Sequence, residues 1–401
     1  MTDIMILGAG VVGMTSAYAL ARRGYRVTVV DEGPAPATAG ASFGNGAQLS
    51  YAYSDAMASP SLLRNLPRYL LGRDEAFRWK PSLSPASWLW NLRFLANGTR
   101  SAFERNTLEI LSLALESRQA LAALLARHPI DFDHRKAGKL HIHASSETLE
   151  QARRIGELKS ALGVDQQVLN AKEATEREPA LAHYGAPFAG AIWSPIDELG
   201  DPVMFCRGLR SILEDQYGAR FLFRTRITGL RRSGRSIAAV STSQGDLATP
   251  RVVLALGTGS LRVAQSVGIA PPIWPMQGYS LTLPATPDAP TASITDVKRK
   301  FVLCRIGERL RVAGLADLGG ADTPFKPERA ATLLRTVGAI FPKAGDYDER
   351  QEWTGFRPLA PNSRPRIGPT PIEGLYLNCG HGSLGWTLAL GSAERLAVLL
   401  R

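Results

Sequence analysis

Three glycines near the start of the chain have the spacing of a phosphate-binding turn. Gly8, Gly10 and Gly13 follow an apolar run at residues 4–7 and precede a helical pattern. Gly8 permits a tight turn, Gly10 lets a pyrophosphate approach the backbone, and Gly13 lets the helix pack closely on the strand. Asp31 ends the next apolar strand, about 20 residues on, where a carboxylate accepts hydrogen bonds from a ribose. The pattern predicts a dinucleotide site that includes Gly8, Gly10, Val11, Val12, Gly13, Asp31 and Glu32.

An ordinary βαβ unit, whose glycines only tighten a turn, is the alternative interpretation. It would make Asp31 a coincidental carboxylate at the end of a strand. Three more segments favour ligand contact. The loop at residues 33–48 is rich in small residues and poor in charge, and residues 257–260 follow another apolar strand. Residues 380–386 form a glycine-rich helix start, which is suited to an anion or a carbonyl oxygen.

The elements between these segments predict a chain that leaves the first domain and returns to it. We expect helices near residues 108–125, 147–162 and 327–340, with Asp201 as an N-cap before Pro202. Proline and tryptophan predict irregular, aromatic-packed structure at residues 60–98. His141 and His143 share a face of a predicted strand, but two histidines on a strand are more often structural, so we expect no metal site. The first domain should therefore be assembled from the start, middle and end of the chain.

Composition indicates a globular protein with a large core. The chain has 401 residues, of which 45% are hydrophobic, and 47 Lys+Arg against 36 Asp+Glu give a net charge of +11. The arginines are scattered and form no nucleic-acid motif, so we expect no nucleic-acid partner. Three separated cysteines suggest neither disulfides nor zinc. No signal peptide and no transmembrane run is evident. We expect a cytoplasmic protein with, at most, peripheral contact at the inner face of the cell membrane.

Over nearly its whole length the sequence resembles the D-amino acid oxidase (DAO) family of FAD-dependent oxidoreductases, and most of all its D-amino acid dehydrogenase branch. The segments that carry the resemblance are residues 8–13 with Asp31, 42–48, 278–280, 355–358 and 380–387. The resemblance implies an α/β fold, in which a discontinuous Rossmann-like FAD-binding domain of the glutathione-reductase type is joined to an α+β substrate domain with a mixed antiparallel sheet. The implied FAD-binding domain comprises residues 1–58, 196–268 and 350–401, and the substrate domain residues 59–195 and 269–349.

The resemblance also implies where noncovalent FAD would lie. The pyrophosphate would lie at residues 8–13 and the ribose at Asp31. The adenine would lie beside Arg226 and Ile227, and the isoalloxazine between the loops at residues 42–48 and 380–387. The further contacts implied are Ala41, Ser42, Asn45, Gly46, Ala47, Gln48, Gly257, Gly380, His381, Gly382, Ser383, Leu384, Gly385, Trp386 and Thr387. Near Phe356 no cysteine stands where sarcosine-oxidase relatives link the flavin covalently.

Arg357 matches the family's arginine that binds the substrate carboxylate. The alternative is a structural arginine that pairs with an acid. Tyr53 and Tyr279 are candidate pocket aromatics. The implied activity is oxidative deamination of a small D-amino acid, with electrons passed to a quinone or a carrier. The candidate substrate type is D-proline or hydroxy-D-proline. The alternatives left open are an oxygen-using glycine or sarcosine oxidase and a noncatalytic flavoprotein subunit or dinucleotide-binding regulator.

Overall fold

A computed structural model describes residues 2–80, 82, 84–319 and 324–400. Within these ranges the helices are α1 (Val11–Ala21), α2 (Pro60–Arg64), α3 (Leu66–Leu70), α4 (Pro85–Ala96), α5 (Arg100–Arg127), α6 (Ser146–Ser160), α7 (Ala171–Arg177), α8 (Pro202–Tyr217), α9 (Gly259–Gln265), α10 (Pro327–Ile340) and α11 (Gly385–Leu399). The strands are β1 (Asp3–Leu7), β2 (Arg26–Val30), β3 (Gln48–Leu49), β4 (Phe77–Trp79), β5 (Lys139–His143), β6 (Gln167–Asn170), β7 (Gly190–Ser194), β8 (Glu198–Leu199), β9 (Arg220–Leu222), β10 (Ile227–Ser233), β11 (Ser236–Thr242), β12 (Gly245–Ala248), β13 (Val252–Leu254), β14 (Trp274–Pro284), β15 (Ser293–Asp296), β16 (Phe301–Ile306), β17 (Arg309–Leu318), β18 (Gln351–Leu359), β19 (Arg366–Pro369) and β20 (Leu375–Cys379).

A six-stranded sheet carries the glycine turn. Its order is β19-β20-β13-β1-β2-β9, and every pairing is parallel except that of β19 with β20. Parallel strands are buried on both faces, which explains the continuous apolar runs in β1 and β13. Helix α1 is buried along its length except at Val12, because it is packed between the sheet, α8 and α11. The Thr15 hydroxyl donates to the carbonyl oxygen of Ala389 in α11 at 3.1 Å, which ties the two ends of the chain together.

A nine-stranded sheet of mixed orientation forms the second layer. Its order is β18-β14-β17-β16-β15-β5-β7-β6, with β4 also paired to β17. Most pairings are antiparallel, and those of β15 with β5 and of β17 with β4 are parallel. Helix α10 packs on β14 and β17. The mixed α/β fold class predicted from the sequence is therefore confirmed.

The division into domains remains a prediction, and one strand bears on it. Our division assigns residues 350–401 to the FAD-binding domain. Strand β18, however, is hydrogen-bonded along its length to β14 of the nine-stranded sheet, with Arg357 opposite Met276. This strand therefore extends the larger sheet while its residues contact the loops of the smaller one. It is a physical link between the two layers.

The segment at residues 60–98 is more regular than its prolines suggest. We predicted irregular structure, but the segment contains α2, α3 and the twelve-residue α4. Pro60 and Pro85 occupy the first helical turn, and Ser59 and Ser84 cap the amides of Leu62 and Ser87. Proline is tolerated there because the first amides of a helix have no intrahelical partner. The prolines begin these helices and do not interrupt them.

Other predicted elements agree closely with the structure. Asp201 caps α8 by accepting from the amides of Val203 and Met204, and Pro202 is its first residue. Helix α10 spans the predicted residues 327–340. In the ranges that the structure describes, no helix has both the length and the apolar character needed to cross a membrane. In the same ranges, no cluster of three or more histidine, cysteine or acidic residues could hold a metal ion.

Candidate active site

A cavity of about 810 Å³ lies between the two large sheets. This volume is within the ~300–1,000 Å³ range of ordinary small-molecule and cofactor sites. The predicted residues that line it are Gly8, Gly10, Val11, Val12, Asp31, Glu32, Ala41, Ser42, Asn45, Gly46, Gln48, Tyr53, Ile227, Gly257, Tyr279, Arg357, His381, Gly382, Ser383, Leu384, Gly385, Trp386 and Thr387. The fold thus brings together segments that are hundreds of residues apart in sequence.

Four of the predicted residues are not among those that line the cavity, although they lie next to residues that do. Gly13 packs against the Gly8 carbonyl, and a Cβ there would overlap that oxygen. Ala47 adopts a φ of 58°, and Gly380 a φ of 88°, so both shape turns next to the cavity. Arg226 is exposed, and its Nε lies 3.9 Å from a carboxylate oxygen of Glu32.

The glycine turn presents backbone amides at the start of α1. Gly8 has a φ of 105°, its amide donates to the Val30 carbonyl at 2.8 Å, and a Cβ on it would lie 2.6 Å from the Ala255 oxygen. A Cβ on Gly10 would come within 3.1 Å of Ser42 Oγ. Since that hydroxyl also accepts from the Val11 amide at 3.1 Å, the loop after β2 is fixed against the helix start. Side chains at Gly8 or Gly10 would therefore crowd the atoms that form this turn.

Asp31 joins two backbone turns at the end of β2. Its Oδ2 accepts from the Ala9 amide at 2.6 Å, and its Oδ1 accepts from the Gly33 amide at 2.7 Å. Burial raises the pKa of Asp31, and the two amide hydrogen bonds oppose that rise. Each carboxylate oxygen can accept more than one hydrogen bond, so Asp31 can hold the turn and still bind a hydroxyl group.

The loop after Gly40 is held from the opposite sheet. The Arg311 side chain is 7% exposed, and its Nη1 donates to the carbonyl oxygens of Asn45 at 2.9 Å and Phe43 at 3.2 Å. Thr387, in the first turn of α11, accepts from the Ser50 amide at 3.0 Å. The loop and the start of α11 are therefore one connected wall. The N-terminus of a helix favours negative charge, and α11 begins within this wall.

Lys139 is a site residue that the sequence reasoning missed. It is 2% exposed, and its Nζ donates to Gln48 Oε1 and Ser50 Oγ, both at 2.7 Å. The Nζ also lies 5.0 Å from the ring centroid of Tyr53, which stacks on His141 at 4.0 Å. Lys139 is the first residue of β5, in which every residue is buried, and its position directly after Gly138 was the signal available.

Burial shifts the pKa values of Lys139 and of ionisable groups near the cavity. It lowers the pKa of the Lys139 amine, and the nearby Asp197 carboxylate opposes that shift. It also raises the pKa of Asp197, which accepts from the Ala52 amide at 2.7 Å. Burial lowers the pKa of His381 to about 3, so this cavity residue is neutral at physiological pH.

Lys139→Met should remove a pH-dependent contribution to the free energy of unfolding. An unfolded lysine titrates near 10.5, whereas the folded Lys139 releases its proton at a lower pH. Between these two values the unfolded chain binds more protons, so this residue makes the wild type more stable as pH rises toward 10.5. The slope is about 1.4 kcal/mol per pH unit in that window. Unfolding free energies of the wild type and the variant at pH 7, 8.5 and 10 would show the difference.

Lys136→Met is the matched control, because Lys136 is exposed and only three positions away. Its unfolding free energies are measured at the same pH values. A Lys139→Met difference from the wild type that changes with pH no more than the Lys136→Met difference does would contradict the assignment of a lowered pKa.

Arg357 lies in the cavity wall with few protein partners. Its Nη1 donates to the Leu315 carbonyl at 3.0 Å. In the described ranges no carboxylate oxygen lies within 4.0 Å of its guanidinium, because Arg329 and Lys326 pair with the nearby Asp317. Burial lowers the pKa of Arg357 to about 10, and the Asp317 charge opposes that shift. The group therefore remains a cation at neutral pH.

Gly278 makes room for the Arg357 side chain. A Cβ at this position would overlap the Cζ and Nη2 atoms of Arg357 and lie 2.8 Å from Nη1. Tyr279, the next residue, is 1% exposed, and burial raises its pKa to about 12. The absence of a side chain at Gly278 thus lets the guanidinium lie across the neighbouring strand at the cavity wall.

The residues present fit a flavin dinucleotide. A Cβ on Gly8, Gly10 or Gly13 would crowd protein atoms, so these glycines let the turn pack tightly at the edge of the cavity, next to Asp31. The buried Asn378 also lines the cavity, and its Oδ1 has no partner among the residues that the structure describes. Such an atom needs a ligand donor or water to satisfy it. Cys379 lines the same wall as a buried free thiol whose pKa burial raises to about 12, which makes it a poor nucleophile.

Comparison with known proteins agrees with this geometry. The family described as "FAD dependent oxidoreductase" (DAO) matches residues 3–399. "D-amino acid dehydrogenase 2" of Ralstonia nicotianae is 39% identical over 409 residues, which cover 99% of this chain and 96% of that protein. "D-amino acid dehydrogenase" of Paramagnetospirillum magneticum is 40% identical over 404 residues, covering 99% and 94%. The crystal structure of glycine oxidase from Geobacillus kaustophilus superposes with a TM-score of 0.75 at 21% identity, covering 100% and 94%.

The protein is an enzyme whose cofactor is FAD, and the noncatalytic alternatives are set aside. The chain belongs to the DAO family of FAD-dependent oxidoreductases.

Proposed function

We propose that the chain catalyses the oxidative deamination of a D-amino acid and passes the electrons to a quinone or a carrier protein. The names of the relatives supply the substrate class. The observation that carries the proposal is the Arg357 cation, which faces the cavity with one carbonyl partner and no carboxylate within 4.0 Å in the described part of the chain. A planar guanidinium binds a carboxylate through two parallel hydrogen bonds. An amino acid offers that carboxylate, whereas a simple amine does not.

The placement of FAD is part of this proposal. Residues 8–13 would hold the pyrophosphate, Asp31 the ribose, and Arg226 with Ile227 the adenine side. The isoalloxazine would lie between the loop at residues 42–48 and the loop at residues 380–387. Bound flavin supplies the acceptor for a hydride. The attachment would be noncovalent, because the buried Cys379 lies off the position of the flavin link in sarcosine-oxidase relatives.

The protein's own contribution is orientation. Arg357 would hold the carboxylate so that the α C–H bond of the substrate faces the flavin, and Tyr53 and Tyr279 would border its side chain. Fixing two reactants in this way replaces a bimolecular encounter. Loss of a hydride from the α-carbon and of a proton from nitrogen leaves an imine. Water then converts the imine to a 2-oxo acid and ammonia.

Anaerobic mixing with matched D- and L-amino acids tests the substrate class. The flavin absorbance near 450 nm should bleach with one or more D isomers and not with their L partners. D-Proline and hydroxy-D-proline belong in the panel, as do glycine and sarcosine. Bleaching by L isomers alone, or by no amino acid, would refute the proposal.

Reoxidation of the reduced enzyme should be faster with a quinone or a redox dye than with air. This expectation follows from the similarity to proteins named dehydrogenases. Stopped-flow measurement of the returning flavin absorbance compares the acceptors directly. Stoichiometric hydrogen peroxide at the rate of turnover would instead indicate an oxidase of the glycine or sarcosine type.

A further inference from the structure

Two side chains of opposite charge are buried at the cavity wall and have no part in the chemistry proposed so far. Lys139, at the start of β5, lines the cavity, whereas Asp197 is fully buried and is not among the lining residues. Their segments are joined, because the Gly138 amide donates to the Asp197 carbonyl oxygen at 3.0 Å. We call these two side chains the buried pair. The pair has an orientation, with its positive member at the cavity and its negative member farther from it.

The Lys139 ammonium has one hydrogen-bond donor that is not used. An ammonium group has three N–H donors, and Gln48 Oε1 and Ser50 Oγ accept from two of them at 2.7 Å. In the described ranges no third acceptor lies within hydrogen-bond distance of Lys139 Nζ. A buried cation that lines a cavity stabilises negative charge on a ligand there, because burial reduces screening by solvent.

The partners of Lys139 connect it to both loops that border the proposed flavin position. Gln48 ends the loop at residues 42–48, and its Nε2 donates to the Ile294 carbonyl oxygen at 3.3 Å, which directs Oε1 toward Lys139. The Ser50 amide donates at 3.0 Å to Thr387 Oγ1, at the end of the loop at residues 380–387. Resting on the proposed placement of FAD, Lys139 therefore lies beside the isoalloxazine.

Three titratable groups that face Lys139 carry no charge at neutral pH. Burial lowers the pKa of His141, two residues along β5, well below its ordinary value. Burial also raises the pKa of the Tyr53 hydroxyl, and it raises the pKa of the Cys304 thiol on β16 to about 12. These groups are therefore neutral and do not offset the charge of Lys139.

The remaining charged groups near Lys139 are Lys159, Asp55 and Asp197. Lys159 Nζ lies 2.5 Å from Asp55 Oδ1, so these two charges offset each other. Asp197 has no cation within 4.0 Å in the part of the chain that the structure describes, and its Oδ1 accepts from the Ala52 amide at 2.7 Å. Burial lowers the pKa of the Lys139 amine and Asp197 opposes that shift, which leaves the amine charged at pH 7.

We propose that the buried pair sets the reduction potential of the flavin, with Lys139 raising the potential and Asp197 lowering it. Negative charge grows on the flavin ring when it accepts a hydride, and charges placed beside the ring tune its electronics. A cation stabilises the reduced ring more than the oxidised ring, and a carboxylate has the opposite effect. Lys139 has the larger influence because it is the member that reaches the cavity.

Reduction potentials of the FAD-loaded full chain at pH 7, measured against a reference dye during slow chemical reduction, test the proposal. Lys139→Met should make two-electron reduction at least tenfold less favourable, which corresponds to a decrease of about 30 mV. Asp197→Asn should make reduction at least threefold more favourable, because the amide removes the negative charge and keeps an oxygen for the Ala52 amide.

The matched controls remove the same charges from the surface. Lys136 and Asp165 are exposed, and Lys136→Met and Asp165→Asn should each change the equilibrium constant for reduction less than twofold. Opposite shifts in the two buried variants are the decisive result, because a general loosening of the cavity would move both potentials in one direction. Shifts of equal sign, or shifts no larger than those of the exposed controls, would overturn the proposal.

The pH dependence of the wild type provides a measurement that needs no variant to fold. Uptake of one proton with two electrons makes reduction tenfold less favourable per pH unit. Between pH 7 and 10 the dependence should become steeper than tenfold, because a Lys139 amine that has lost its proton regains it beside the reduced, negatively charged ring. In Lys139→Met the extra steepness should be absent. A wild-type dependence of tenfold per unit over this whole range would contradict the role of Lys139.

The outcome is independent of the proposed substrate, since the flavin is reduced chemically. If no amino acid bleaches the flavin but the buried variants shift its potential in opposite directions, the proposed substrate fails and this inference stands. If D-amino acids are deaminated and the potentials of both buried variants equal that of the wild type, this inference alone fails.

Discussion

Arg357→Ala should lower kcat/KM for the amino acid substrate by roughly two to four orders of magnitude. Each charge-assisted hydrogen bond contributes on the order of 1.5–3 kcal/mol, and the variant loses two of them. A loss of about 3–5 kcal/mol in transition-state binding converts to that decrease in rate. Arg357→Lys should recover only part of it, because an ammonium keeps the charge and lacks the planar fork. Steady-state kinetics with a soluble dye measures both variants.

The controls separate substrate binding from structure. Both variants should retain FAD, since Arg357 is assigned to the substrate. An amine without the carboxylate should be oxidised equally slowly by the wild type and by Arg357→Ala. Arg305→Ala removes an arginine of the same sheet that pairs with Glu308 on the surface, and it should change kcat/KM less than twofold. Near-normal turnover by Arg357→Ala would refute the assignment, and a colourless, unfolded variant would show that the arginine is structural.

Gly278→Ala should move the guanidinium without removing it. The added methyl group would overlap Arg357 Cζ, so the side chain must leave its position across β14. A displacement of about 1 Å in an oriented site can cost about a hundredfold in rate. We expect a ten- to hundredfold loss with normal FAD content. Unchanged kinetics would mean that the observed orientation of Arg357 is not the functional one.

Gly13→Ala should abolish FAD binding. Its Cβ would overlap the carbonyl oxygen of Gly8, and because that atom belongs to the backbone it cannot rotate away. Helix α1 would have to move off β1, which opens the phosphate-binding turn and disturbs a helix that is buried at every residue except Val12. We expect flavin content below about a tenth of the wild-type value, with overpacking that costs about 1–3 kcal/mol or more. Flavin released by acid and a thermal melting curve provide the two measurements.

Gly338→Ala is the same chemical change at a position with free space. Gly338 lies inside α10, and a Cβ there would meet nothing within 4 Å. Since alanine is the better helix former by about 0.8–1.0 kcal/mol, this variant should be slightly more stable and fully yellow. A Gly13→Ala protein that keeps its flavin as Gly338→Ala does would refute the close packing of α1 on β1.

The sequence predicts most reliably those parts whose signals are local. Asp201 and Pro202 mark a helix start through one capping side chain and one fixed backbone angle, and the apolar spacing in α10 needs no distant partner. The glycine-rich segments at residues 8–13 and 380–386 indicate a shared first domain, but the contribution of the second sheet to the cavity could be predicted only through the family resemblance.

Tertiary contacts explain what the sequence did not reveal. Lys139 is held by Gln48 and Ser50, which are about ninety positions away, and no pattern in β5 indicates that pairing. Strand β18 joins the nine-stranded sheet because β14 is its partner, and an isolated strand pattern cannot name its neighbour. The prolines of α2 and α4 led to a wrong prediction of irregular structure. Proline disrupts the interior of a helix but is compatible with its first turn, where both of these prolines lie.

The order of strands in the six-stranded sheet has a consequence for synthesis on the ribosome. Strand β1, made first, pairs with β13 at residues 252–254, and β13 pairs in turn with β20 at residues 375–379. At about 5–20 residues per second, roughly 20 to 70 s separate the translation of β1 from that of β20. During this interval β1 and the phosphate-binding turn after it lack the later strands that complete the sheet. Free FAD should therefore bind the assembled sheet only after the last strand, β20, has been made.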